Sequence, residues 1–598
     1  MNQSDRELFL GVGIHVEGRP LLERCFDPTP ARRSPLAAGE AVGDGDYVLA
    51  EADLTGARVR DRLATSGSAL AAVYALAVRH GLNPVFPPRV MADADALRAR
   101  PGIDDPLLAD LTGLPFCTIN GPTTRDLDQA LHVEALVTGF RLHYALADAA
   151  WFAPLGSALF AEALRRASSV YLPGLTIPML PRVLSEDIVS LLPQVPRRAL
   201  VMMLELDADG EVMRRDWVRA RVRSRAKLAF EQVALLLAGD TDTDTGPDAP
   251  GWLARDLRAS LAAFRDLGET LARRRDREGV VRYRRDEVDL TLTAGGRGLV
   301  PVRPVVNPVE RWNEEVSVLC NTQGARFLLE GDRADDAIEP IYRVHPAPPP
   351  AALAGLERRI VGLVALRQLD PTVWTWQRHA GQSLADYLRG LPTDGEAGRL
   401  AQVVNRQAVI TNLRATYAAE PAPHAGVGAE VYGRFTAPMR EIVGIFLHHE
   451  TIEKLIGAAP SGAREDPALR QRVIDGANRA RERQSRLVKD LNRAVIDALF
   501  KADLDLPAAE RPRRRGTVMG LQANRLYWLL DDPPLAVKVY TADVAAAVGE
   551  PVAIDPDGIA LRASADGRVL VRLGDRGRLD VRGFDAPRDR WVFGLLAD

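Results

Sequence analysis

At 598 residues the chain is too long for one core, and roughly three or four domains are expected. With 46% hydrophobic and 26% charged residues it has the make-up of a soluble globular protein, and a net charge of −3 gives no global nucleic-acid signature, so any basic surface must be local. Three cysteines (Cys25, Cys117, Cys320) exclude a disulfide framework and show no metal-binding Cys-x-x-Cys spacing. A charged start and the lack of any apolar run near ~18 residues give an expectation of a cytoplasmic protein without a membrane span.

Residues 1–113 read as a small accessory module. A Gly/Asp turn before Tyr47-Val-Leu-Ala-Glu51 suits a small β-barrel. Residues 66–80 read as a helix with a serine N-cap, stopped by Gly81 and Pro84, and a further helix is expected around Met91–Arg100. Winged-helix and reduced cold-shock-like folds both fit.

The stretch Thr118-Ile-Asn-Gly-Pro-Thr-Thr-Arg-Asp-Leu-Asp-Gln-Ala-Leu131 is the most informative. Short apolar strands flank an Asn-Gly-Pro-Thr-Thr turn, which puts Asp126 and Asp128 at the mouth of a loop, on one side of an extended segment. Read alone, the two are either solvated turn residues or ligands of a hard divalent cation such as magnesium. Beyond them, Phe140–Asp148 and Ala199–Leu206 read as strands and Ala158–Ser169 as a helix. The alternating aspartates of 238–250 read as an exposed loop with a faint calcium hint, and residues 344–352 as a proline-rich connector. The basic runs Arg273–Arg277 and Arg479–Lys489 lie on helices, as an RNA-facing or an ordinary solvated surface. From residue 511 on, five or six short strands with Gly/Asp/Pro turns suggest an OB-type barrel.

Several blocks, in order, resemble the RNB catalytic domain of the ribonuclease II/ribonuclease R family. They are the 118–131 stretch, LADAAWFAPLGS (146–157), SVYLPGLTIPMLP (169–181) and LSEDIVSLLP (184–193). Asn307–Asn321 is similar to the family's paired-Glu helix, and Tyr432-Gly-Arg-Phe-Thr-Ala-Pro-Met-Arg440 with His448 to a later block. Gly516-x-Val518-x-Gly520 and Arg572-Leu-Gly-Asp575 resemble the S1 RNA-binding domain.

The resemblance implies a multidomain α+β protein with a small N-terminal module (1–113), an RNB-like domain (114–505) and an S1-like OB β-barrel (511–598). It also implies processive 3′→5′ hydrolysis of single-stranded RNA to nucleoside monophosphates with Mg2+, or with Mn2+ in its place. The metal positions fall on Asn120, Asp126, Asp128 and Gln129, and the catalytic roles on Asp128 and Arg440. Tyr171, Tyr283, Tyr527 and Trp528 are the expected stacking rings for RNA bases. A monomer partnered by RNA, with no membrane, is expected.

The departures cluster at the same place. Where the family carries four aspartates, this chain has Asn120, Asp126, Asp128 and Gln129, so nominal ligand charge drops from about −4 to about −2. Ala437, Glu441, Ile442, Gly444 and His449 also depart from the family pattern. Glu134, Glu314 or Glu315 are candidates to restore a ligand. Two functions follow: a slowed exoribonuclease, or a catalytically inactive RNB-fold RNA-binding or regulatory protein. A third, a DNA-directed regulator, rests on the local helix signals of residues 1–113.

Overall fold

The computed structural model describes residues 7–27, 32–53, 56–238, 251–277, 279–281, 288–293, 295–296, 298–302, 307–330, 338–457 and 466–596. Tyr283 and residues 239–250 of the Asp-rich segment lie outside them. The chain divides into two compact units, each discontinuous in sequence: residues 1–278, 305–346 and 415–487, and residues 279–304, 347–414 and 488–598.

The first unit opens with an antiparallel sheet in the order β3-β2-β1-β4-β5, built from β1 (Glu7–Val16), β2 (Arg19–Arg24), β3 (Arg33–Pro35), β4 (Tyr47–Asp53) and β5 (Gly56–Ala64). Phe9, Leu22, Val42, Val48, Ala50 and Ala57 form its own small core. Helix α1 (Ala69–Arg79) follows, with Ser68 Oγ accepting the Ala71 N–H at 3.1 Å, and then α2 (Pro88–Ala99). The serine satisfies a backbone donor that the first turn of a helix leaves unpaired.

A seven-stranded mixed sheet carries the site. Its strands are β6 (Ala109–Asp110), β7 (Cys117–Ile119), β8 (Gln129–Leu136), β9 (Gly139–Ala147), β12 (Pro196–Asp207), β13 (Val212–Arg223) and β14 (Ala226–Leu228). A separate hairpin, β10 (Val170–Leu172) with β11 (Leu175–Ile177), lies between β9 and β12 in sequence. The seven strands run in the order β14-β7-β8-β9-β12-β13-β6, parallel at the two edge pairs and antiparallel between. In β12 every residue from Arg198 to Met202 is buried, the pattern of a strand covered on both faces.

Where β9 ends, a buried charge cluster ties three strands together. Asp148 Oδ2 accepts from Arg219 Nη2 at 2.7 Å and from Arg198 Nε at 3.2 Å. Arg198, itself fully buried, also donates to the Gly102 carbonyl at 2.5 Å and to Asp105 at 3.1 Å, with the Trp151 ring 4.4 Å from its guanidinium carbon. Buried charges persist only when paired and hydrogen-bonded in this way.

A second buried carboxyl makes this unit pH-sensitive. Glu450, on the helix Ile442–Ile456, accepts the Glu339 N–H at 2.5 Å. Burial, with Glu453 and Glu339 nearby, pushes its pKa from 4.5 up to about 8 against the opposing pull of Arg470 and that N–H. The folded protein therefore holds a proton that the unfolded chain releases, so the stabilisation is complete below 4.5 and is lost as pH rises through about 8. In urea titrations the Glu450 contribution, read as the difference in unfolding free energy between wild type and Glu450→Gln, is expected to fall by a few kcal/mol from about pH 5 to about pH 8. The same pH dependence in wild type and Glu450→Gln would remove Glu450 as a source of pH-linked stability.

In the second unit, strands Ala536–Tyr540, Arg525–Leu530, Arg514–Gln522, Arg576–Asp585 and Arg590–Leu596 form one antiparallel sheet in that order. Val552–Ile554, Ala560–Ala563 and Val569–Arg572 form a separate three-stranded sheet. Among the described residues no ladder joins these two sheets, or the outer strands Ala536–Tyr540 and Arg590–Leu596, into the single closed barrel expected for 511–598. Trp528, expected to stack on RNA, is 3% exposed and packs in the core with Val518, Leu579 and Phe593. Strand alternation turns Trp528 inward and leaves its neighbour Tyr527 half-exposed on the other face. The expected connector 344–352 is cut short by a helix starting at Pro350, where a missing N–H costs nothing.

Candidate active site

The loop between β7 and β8 is held from below. Lys227 Nζ donates to the Pro122 carbonyl at 2.9 Å and the Thr124 carbonyl at 2.5 Å. Ser190 Oγ donates to the Arg125 carbonyl at 2.7 Å and accepts the Leu127 N–H at 3.0 Å. Leu127 is fully buried, and in an extended segment that sends its neighbours Asp126 and Asp128 to the opposite side.

Facing them is residues 432–441, a segment with little regular structure that is fixed by a buried asparagine. Asn321 Oδ1 accepts the N–H groups of Phe435 (2.7 Å) and Thr436 (3.2 Å), and its Nδ2 donates to Thr436 Oγ1 at 3.0 Å and to the Tyr432 hydroxyl at 3.2 Å. Two glycines allow the close approach. A Cβ on Gly324 would lie 2.7 Å from the Phe435 ring, and one on Gly444 would lie 2.8 Å from Pro438 Cα. The backbone of Ala167–Ser169 pairs with Arg440–Ile442, through Ser169 N–H to the Arg440 carbonyl (2.9 Å) and Ile442 N–H to the Ala167 carbonyl (3.0 Å). That pairing brings β10, and with it Tyr171, beside Arg440.

The two segments meet at Asp128, which is 1% exposed. Its Oδ1 accepts the Met439 N–H at 2.7 Å, and its Oδ2 accepts from Arg440 Nε. Burial raises the Asp128 pKa from 3.8 to about 6, although Arg440 and the Met439 N–H both pull it down; Asp126 adds to the rise. The same carboxylate, in turn, holds Arg440 firmly charged. Asp126 Oδ2 accepts from the Tyr171 hydroxyl, and Gln129 Oε1 accepts from the Tyr144 hydroxyl at 2.6 Å. Asn120 Nδ2 is buried without a hydrogen-bond partner.

The structure thus brings Asp126, Asp128, Tyr171 and Arg440 into one contact network. It also shows how these residues compare with the needs of magnesium. A hard cation takes oxygen ligands and prefers carboxylates. Here both oxygens of Asp128 already accept hydrogen bonds, the Gln129 oxygen is engaged by Tyr144, and Asn120 turns a partnerless amide nitrogen into the interior. As arranged, the four positions do not fit the ion.

The glutamates considered as replacements do not restore the set. Glu134 is five residues along β8 from Gln129 and so points to the other face of the sheet. Glu315 is buried and paired with Arg275 at 2.9 Å, and Glu314 is solvent-exposed.

Two clefts share Tyr171 and Arg440 in their walls. One, of ≈ 230 Å³, is also lined by Arg434, Glu441, Tyr417 and Arg481. The other, of ≈ 460 Å³, is lined by Thr124, Arg125, Asp126 and Arg182 among others. Glu441 keeps a pKa of about 2: burial would raise it, but Arg434 at 2.9 Å and the Tyr417 hydroxyl at 2.6 Å outweigh that. Tyr171 is 48% exposed at the rim, where a base could lie against its ring. The supporting residues Tyr144, Lys227, Asn321 and Tyr417 carry no local sequence signal, because each acts from a partner strand or across more than 20 positions of chain, whereas Arg434 reaches Glu441 only seven positions on.

The RNB domain family matches residues 108–454, more than half of the chain, and the chain belongs to that family of ribonuclease II and ribonuclease R proteins. Ribonuclease R of Vibrio parahaemolyticus is 30% identical over 363 residues, which are 60% of this chain and 40% of that protein. Exoribonuclease 2 of Erwinia tasmaniensis is 30% identical over 519 residues, 83% of this chain and 72% of that one. The chain therefore spans well under half of the ribonuclease R it matches. Among solved structures, Mycoplasma genitalium RNase R in complex with ribose-methylated single-stranded RNA superposes with a TM-score of 0.77 at 19% identity, over 99% of this chain and 90% of that one. The fold is RNase R-like, multidomain and α+β. Among the described residues, no helix is long and apolar enough to cross a membrane.

Proposed function

We propose that this protein binds the 3′ end of single-stranded RNA in the clefts at Tyr171 and Arg440, and that the family's 3′→5′ hydrolysis to nucleoside monophosphates is retained as a slow, residual activity. The observation that limits hydrolysis to a slow activity in this reading is Asp128. It is the one charged residue left at the buried end of the acidic motif, and its oxygens are committed to the Met439 N–H and Arg440. The walls of the clefts support the RNA-binding part of the reading. Arg434, Arg440 and Arg481 line a cleft whose acidic residue, Glu441, is already neutralised by Arg434, so the wall keeps a positive excess for phosphates. Tyr171 offers a ring to a base without reading its identity, and its hydroxyl bond to Asp126 holds the ring in place. The role of magnesium or manganese, the cytoplasmic location and a monomeric state belong to the same proposal.

Incubation of the protein with 5′-labelled single-stranded RNA, in magnesium or manganese, is the direct test. Slow shortening from the 3′ end, lost in Asp128→Ala, is the expected result. Binding without shortening in either metal would instead establish the second reading, an RNA-binding protein without turnover, which the two amides Asn120 and Gln129 favour. Absence of RNA binding would overturn both.

Tyr171 has its own expected outcome. Tyr171→Ala should weaken single-stranded RNA binding by roughly 5- to 150-fold, the equivalent of about 1–3 kcal/mol for one stacked base. Tyr171→Phe should keep most of the affinity, because it removes only the hydroxyl. Equal affinities for wild type and Tyr171→Ala, by fluorescence anisotropy, would take Tyr171 out of the RNA path.

A further inference from the structure

The face of the central sheet opposite Gln129 carries a cluster that the RNA site does not use. His132 on β8 and His143 on β9 are direct cross-strand partners, and Glu134 lies two residues along β8, on the same face. Their ligand atoms all lie within 4.8 Å of one another. His132 Nε2 is 3.3 Å and His143 Nδ1 4.0 Å from Glu134 Oε1. Ligands held about 2.0–2.1 Å from a tetrahedral zinc ion stand about 3.3 Å apart. One edge of such a polyhedron is therefore already set, and the second closes with a small turn of the half-exposed Glu134.

Two further observations point to a ligand. His143 is 8% exposed, and its Nδ1 is buried with no hydrogen-bond partner, at the atom that faces Glu134. Ser260, 1% exposed, sits 3.1 Å from His132 Nδ1 and also accepts the Val133 N–H at 2.9 Å. It fixes the ring so that Nε2 is aimed at Glu134, the outer support that metal-binding histidines characteristically have. Arg141 donates to the other oxygen of Glu134 at 3.3 Å, which leaves Oε1 to turn toward the imidazoles. Burial lowers the pKa of both histidines, which favours the neutral rings a metal requires. A cleft of ≈ 570 Å³ reaches Glu134 and His143 and gives an ion a way in.

We propose that His132, Glu134 and His143 bind one zinc-class divalent cation, with a fourth position open to water. Two imidazoles and one carboxylate suit zinc or a neighbouring transition metal and not magnesium, which prefers all-oxygen shells. The site is on the other face of the sheet from Gln129 and does not depend on whether RNA is cut.

The test is calorimetric titration of the full-length, chelator-treated protein with zinc chloride, alongside magnesium chloride. One zinc site per chain and no magnesium binding at that site are expected. Glu134→Gln should weaken zinc binding by ten- to a hundredfold, and His143→Ala should abolish it, while cobalt(II) bound by the wild type should give tetrahedral absorption bands that His143→Ala lacks. Glu134 is half-exposed, so Glu134→Gln provides a folded comparison, checked by thermal melting, even where the histidine variant is unstable. No zinc binding by the wild type, or the same affinity and stoichiometry in Glu134→Gln, would overturn the proposal.

Discussion

On the proposed function, placing carboxylates at both amide positions, with Asn120→Asp and Gln129→Asp together, is expected to raise metal-dependent shortening of single-stranded RNA on the order of 100-fold. That is the usual effect of gaining or losing one preorganised group that stabilises developing charge. Ligand charge at the four positions returns from about −2 to about −4 in this variant. The two changes differ in cost. Asn120 Nδ2 has no hydrogen-bond partner, so Asn120→Asp removes a buried orphan donor. Gln129→Asp shortens the side chain that accepts the Tyr144 hydroxyl and puts that bond at risk.

Without metal, two more carboxylates beside Asp128, whose pKa is already raised to about 6, will repel one another. The double variant should therefore gain thermal stability on adding magnesium, as binding to the folded state requires, whereas the wild type should gain little. Labelled-RNA gels and melting curves read the two effects separately. A double variant that cuts no faster than the wild type in magnesium and in manganese would show that the amides at 120 and 129 are not what limits turnover.

Asp148→Ala should destabilise the protein by about 3–5 kcal/mol, the size of effect seen when one partner of a buried ion pair is removed. Arg198 is fully buried and would lose its Nε partner, while Arg219 would lose a 2.7 Å bond. The remaining partners of Arg198, the Gly102 carbonyl and Asp105, cannot replace the charge at the strand end. Adding Arg198→Met to Asp148→Ala should recover part of the loss, since it removes a buried guanidinium that keeps only Asp105 as a carboxylate partner and leaves Arg219, which is partly exposed and can be hydrated. Urea unfolding of the four proteins in the cycle measures this. A cost below about 1 kcal/mol for Asp148→Ala would mean that solvent already reaches the cluster, because exposed pairs contribute only that much.

The strands and helices were readable where local chemistry specifies them. The serine before α1, the alternation of Phe140–Ala147 and the Asn-Gly-Pro turn before Asp126 each act within a few residues, and so the sequence carries them. Whether the C-terminal strands close into one barrel, and which of Tyr527 and Trp528 faces outward, were not readable that way. Which strand pairs with which, and which face turns inward, depend on partners far along the chain.

The same division runs through the site. By itself the sequence determined the family, through blocks kept in order, and the neutral amides at Asn120 and Gln129 beside Asp126 and Asp128, because residue identity fixes charge. Only the tertiary structure decided what the two remaining aspartates do. Asp126 is held by Tyr171, and Asp128 by Met439 and Arg440, more than 300 positions away. The pairing of His132 with His143 was likewise decided by strand register, which sets two histidines eleven positions apart side by side. Coulomb energies and hydrogen bonds depend on distance in space, and sequence separation does not report that distance until the chain is folded.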